Sequence, residues 1–100
     1  MVEVTKEQID SWKEQYGYVY AVSIDGLKIY FKTLSRDDYM DIMQSQAIGD
    51  SIDPEVETVK RCILNTIDDK VFDKKGGYAT VIYEQIMLKS GFVTIEAEEL

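Results

Sequence analysis

One hundred residues suffice for one domain with its own core and are too few for two. The composition, 45% hydrophobic and 30% charged, is that of a globular chain rather than a disordered one. Nineteen acidic residues against eleven Lys and Arg, a formal charge of −8, disfavour nucleic acid and anionic membranes as partners and suit solubility or a basic protein surface.

The opening MVEVTKEQID lacks a basic start and an apolar run, so no signal peptide is expected there. Thr5 and Gln8 have the spacing of a capping box, with Val4 and Ile9 at the positions of a hydrophobic staple. The helix they start presents Ile9, Trp12 and Tyr16 on one face and ends at Gly17.

Residues Tyr18 to Ile24 and Leu27 to Leu34 are β-rich runs joined by Asp25-Gly26, the pair favoured in a two-residue type I′ turn. That turn sets Ile24 opposite Leu27, Val22 opposite Ile29 and Tyr20 opposite Phe31. Tyr18, Tyr20, Val22, Ile24, Leu27, Ile29 and Phe31 then share one face. Val19, Ala21, Ser23, Lys28, Tyr30 and Lys32 share the other. An isolated hairpin is marginal in water, so helices must cover the apolar face.

Ser35 caps the next predicted helix, with Asp37 and Asp38 at the positive end of its dipole. Its stripe is Tyr39, Ile42, Met43 and Ala47, and Gly49 follows. Asp53-Pro54 opens a third helix. Val56, Val59, Ile63 and Ile67 run along it, flanked by Cys62 and Leu64. Residues 68–77 read as a loop anchored by Val71 and Phe72. The last helix spans Tyr78 to Ser90, with Gly91 as a left-handed C-cap and Phe92 reaching back to Met87. Residues 93–100 alternate at first and then turn acidic, as an edge strand or, preferably, a frayed end. The reading is a single α+β domain over 1–100: one two-stranded antiparallel hairpin packed against about four short helices, with 1–4 and 93–100 as candidate tails. There is no internal repeat.

Histidine is absent, which removes the commonest general base and the imidazole metal ligands. Cys62, the only cysteine, falls at a core spacing and lacks a disulfide partner within the chain. Asp37, Asp38, Asp41, Asp68 and Asp69 stand at helix ends, where solvated acids are expected. Asp73 and Glu84 are spaced like the ends of a calcium loop, but Lys75 and Gly77 occupy interior ligand positions and Tyr78 replaces the required glycine. Gly76-Gly77 lacks a P-loop or dinucleotide fingerprint around it. The expectation is a non-enzymatic protein with no catalytic residue, no cofactor and no metal. Met40, Met43, Met87, Leu88, Phe92 and Tyr30 exceed what the core obviously needs, and Met and Tyr suit adaptable contacts. Tyr30, Met87, Leu88 and Phe92 are the candidate partner-binding residues.

Four segments in order, IDSWKEQYGYVY, IDGLKIYFKTLSRDDY, PEVETVKRCIL and GGYATVIYEQIMLKSGF, resemble the tail-assembly chaperones and small baseplate-hub proteins of tailed, contractile bacteriophages. The likeness runs from Ile9 to Phe92. It includes an aromatic hairpin leading into a helix start at Leu34 to Tyr39, and the closing Ser90, Gly91 and Phe92. The chain departs from the pattern in NTIDDKVFDKK, where the family often carries a proline. The resemblance implies transient binding of a tape-measure or baseplate-hub protein in the cytoplasm of an infected bacterium, without nucleic acid or membrane. A structural component retained in the virion and a small acidic host-directed binding protein are the alternatives. The partner's identity, the host, and the choice between monomer and homo-oligomer stay open at this stage.

Overall fold

A computed structural model describes residues 4–49, 53–65, 67 and 70–100, with the side chain of Val71 outside that description. The expectations placed on residues 1–3, Asp68, Asp69 and the Val71 side chain therefore lie outside the described residues. Helix α1 spans Lys6–Tyr16, and strands β1 (Val19–Ile24) and β2 (Leu27–Lys32) form the hairpin. Helices α2 (Arg36–Ala47), α3 (Pro54–Cys62), α4 (Lys70–Lys74) and α5 (Gly77–Lys89) follow. The architecture is a small α+β fold with one two-stranded antiparallel sheet.

The predicted turn chemistry and register are both present. Asp25 has φ 52° and Gly26 φ 77°, both in the left-handed region that a type I′ turn requires. Ile24 pairs with Leu27, Val22 with Ile29 and Tyr20 with Phe31. Ile29 and Phe31 are fully buried in a cluster with Leu34, Ile42, Val59, Cys62, Ile82 and Ile86, contributed by β2, α2, α3 and α5. Tyr20, Val22, Ile24 and Leu27 pack against its margin. Tyr18 is the exception on this face: it precedes the first strand pair and remains 70% exposed.

The opposite face of the ribbon is not bare. The Trp12 ring of α1 meets Tyr30 with centroids 5.8 Å apart, and the Lys32 ammonium lies over Tyr16. Helix α1 thus covers the part of this face around Tyr30 and Lys32, while Ala21, Ser23 and Lys28 stay exposed and α1 contributes no buried residue to the core.

Caps work as their residue types dictate. Thr5 accepts from the Gln8 amide, Ser35 from Asp38, and Asp53 from Glu55 and Val56. At the end of α5, Gly91 has φ 92°, its amide donates to Leu88 and the Phe92 amide donates to Met87, completing a Schellman motif. The Phe92 ring lies against Tyr39 of α2, 4.7 Å between centroids.

Three expectations are corrected. The α3 stripe does not continue to Ile67. The helix stops at Cys62, where Ile63 turns extended and forms a β-bridge to Phe31. Pairing with β2 satisfies backbone groups that another helical turn would have left far from the sheet. The predicted loop of 68–77 contains the short helix α4, packed against α5, and its Phe72 does anchor on the core. The α2 stripe is narrower than expected, since Ile42 is buried and Tyr39 half-buried whereas Met43 and Ala47 are exposed. Residues 93–100 form no strand and are exposed throughout.

The register yields a paired prediction. Val22→Asp places a charge at the margin of the core, opposite Ile29, and should cost on the order of 2 kcal/mol. Ser23→Asp, on the exposed side, should change stability by less than about 0.5 kcal/mol. Denaturant unfolding midpoints check both, and equal midpoints for the two variants would contradict the assigned face.

Candidate functional site

Cys62 and two of the α2 acids are engaged in packing or in ion pairs. Cys62 closes α3 with no solvent exposure, and burial pushes its thiol up to about 11. Asp38 and Asp41 of α2 are not simply solvated acids. Arg61 of α3 donates to Asp38 (3.2 Å), to Asp41 (2.7 Å) and, along its own helix, to Glu57 (3.0 Å). Lys32 stands 3.8 Å from Asp38 as well. Bonds to Asp41 and Glu57 raise the Arg61 guanidinium further above its ordinary range, Asp41 contributing most. This network pins α2 against α3, a role that the spacing of the acids alone did not disclose.

Asn65 does comparable work on the sheet. Its carboxamide oxygen accepts from the Tyr30 amide at 2.9 Å, and its nitrogen donates to the Lys28 carbonyl at 3.0 Å. The Leu64 amide donates to the Tyr30 carbonyl. Together they close the outer edge of β2 as a third strand would. At the far end of the ribbon, the Tyr78 hydroxyl donates to Asp25 at 2.8 Å, which raises the phenol above its ordinary value.

Between α3, α4 and α5 lies a cavity of about 260 Å³ lined by Val56, Val59, Ile63, Ile67, Phe72 and Ala79, with Lys60 and Asn65 as its polar residues. Both polar groups of the Asn65 carboxamide are already bonded to β2. Among the described residues no cluster of three or more acids and cysteines has the geometry of a metal site. No helix among them is long and apolar enough to cross a membrane.

The four candidate partner-binding residues do not form one patch. Tyr30 stands on the α1 side of the ribbon, its ring between Trp12 and the Lys28 ammonium. Met87 and Leu88 belong to α5, and Phe92 follows its cap and meets Tyr39 of α2. Of these, Met87 packs against the core, whereas Leu88 is 49% and Phe92 39% exposed. Sequence reasoning passed over Val81, 45% exposed, seven residues before Leu88 on the same outward side of α5. Ala79, Ile82 and Ile86 face inward, so α5 is apolar on opposite sides. A helix that is apolar beyond the stripe it buries has surface left for another molecule. That departure from amphipathicity was the available signal. Beyond Gly91, Phe92 meets Tyr39 of α2, and Met43 stands exposed one turn further along that helix.

The buried thiol gives a direct check. At pH 8 the thiolate fraction of folded Cys62 should be about 100-fold below that of an ordinary cysteine, with access blocked besides. A colorimetric disulfide reagent should therefore react slowly with the native chain and rapidly in denaturant. Equal rates in both conditions would contradict the burial.

No protein-family model and no curated protein matches the chain. Among solved structures it is similar to an uncharacterised protein of Bacillus stearothermophilus, with a TM-score of 0.61 and 17% sequence identity over 91% of this chain and 99% of that one. At that identity the likeness concerns the fold alone: the hairpin and its helices form an arrangement that a second, distantly similar sequence also adopts.

Proposed function

We propose that this chain is a non-enzymatic assembly factor of the phage tail or baseplate type, which binds a tape-measure or hub protein and shields its apolar surface. The observation that carries the reading is the outward face of α5, where Val81 and Leu88 stand exposed, with Phe92 exposed just past the helix end. The segments that resemble tail-assembly chaperones include this helix and its Ser90-Gly91-Phe92 ending. Cys62, Asp38 and Asp41 are occupied by packing and by Arg61, which supports a binding role over a catalytic one. The formal charge of −8 contributes steering toward a basic partner more than affinity. In this reading the chain works in the cytoplasm of the infected bacterium and engages neither nucleic acid nor membrane.

Co-expression with a tape-measure or baseplate-hub protein from the same genome tests the reading. The wild-type chain should raise the soluble fraction of that partner. Leu88→Glu and Val81→Glu alter side chains that are about half exposed, so they should leave the melting temperature nearly unchanged and abolish the gain. Met87 is unsuitable for this purpose because it packs on the core. An unchanged soluble fraction, with the chain recovered from mature particles, would replace the chaperone reading with that of a retained structural component.

A further inference from the structure

The two edges of the hairpin are treated differently. Ile24 and Leu27 flank a two-residue turn and form a hydrogen-bonded pair, so the backbone groups of Val19, Ala21 and Ser23 on β1 point away from β2. By the same alternation Lys28, Tyr30 and Lys32 point outward from β2, where Leu64 and Asn65 receive two of them. Among the described residues nothing bonds to the outward groups of β1. Ala21 and Ser23 are exposed, and the strand VYAVSI carries no charge, proline or bulge of the kind that guards a natural edge.

The same molecule ends in a segment that forms no helix and pairs with no strand among the described residues. Residues 93–100, VTIEAEEL, are exposed along their length, Ile95 at 85%. Val93, Ile95 and Ala97 alternate with Thr94, Glu96 and Glu98, which is the pattern of a strand with one apolar and one acidic face. The chemistry of the β1 edge is complementary. Tyr20, Val22 and Ile24 continue the apolar face, while Lys28 stands on the opposite face beside Ser23.

We infer that the free edge of β1 receives the 93–100 strand of a second copy, and that two chains exchange these strands reciprocally. The added strand runs antiparallel, with Val93, Ile95 and Ala97 beside Tyr20, Val22 and Ile24, and with the glutamates on the side of Lys28. Exchange of identical strands is a closed, two-fold arrangement, so it ends at a dimer rather than a fibre. It uses neither Val81 nor Leu88, and its failure leaves the proposed partner surface untouched.

Light scattering on the full chain across a concentration series reads the outcome. The wild type should reach twice the monomer mass. Ala21→Pro removes an outward donor at a sheet edge that tolerates proline, and should give a monomer. Ile95→Pro combined with Glu96→Pro removes a donor from each side of the exposed tail whichever way it pairs, and should give a monomer with an unchanged circular dichroism spectrum. This second variant keeps the test valid if Ala21→Pro disturbs the hairpin. A wild type that stays monomeric at every concentration would overturn the inference, whether its tail amides exchange freely or are protected by folding back on β1. A dimer that survives both proline variants would overturn it equally.

Discussion

Two left-handed residues, Asp25 and Gly26, decide which side chains of the ribbon meet the helices. Because side chains alternate with period two, a slip of one residue would turn Ile29 and Phe31 outward and bring Lys28, Tyr30 and Lys32 into the core. The register set by the turn avoids that. It also leaves Lys28 and Tyr30 with outward backbone groups at one edge, and the chain returns to that edge after α3. Ile63 bridges Phe31, Leu64 donates to Tyr30, and the Asn65 carboxamide substitutes for a peptide group. A hairpin that would be marginal alone thus gains a seam on one edge and helices on its apolar face.

The helices are fastened to this ribbon by a few specific contacts in addition to the core. Tyr78 ties the start of α5 to the turn, and the Ser90 hydroxyl accepts from the Leu34 amide just past β2. Thr80 of α5 donates to Glu55 of α3, and Arg61 holds α2 to α3 through Asp38 and Asp41 while Glu57 braces it along its own helix. Single exposed ion pairs contribute little, but a shared guanidinium with several partners fixes geometry. With α5 held at both ends, its outward face is presented in a defined orientation.

Local chemistry made most of the fold legible. Thr5, Ser35 and Asp53 announce their helices, and Asp25-Gly26 announces the turn, because a cap or a turn needs only its neighbours in sequence. What the sequence concealed depends on residues far apart. Ile63 is apolar at a helical spacing, and only the outer edge of β2, some thirty residues earlier, draws it into a bridge. Arg61 shows no pattern that points to Asp38 and Asp41 on another helix. The candidate binding residues divided for the same reason. Tyr30 alternates onto the α1 side of the ribbon, while Leu88 and Phe92 belong to α5 and its cap, and Val81 becomes notable only once the buried side of α5 is known.

The exposed residues of α5 are energetically costly to leave in water, and helix packing inside the chain does not require them outward. A surface of this kind is consistent with a partner that covers it. Amide hydrogen exchange on the complex with the proposed tail or hub protein measures that most directly. The account predicts slowed exchange over residues 81–93 relative to the free chain, with little change in the Asp38–Arg61 region. Protection confined to other segments, with 81–93 exchanging as in the free chain, would contradict it.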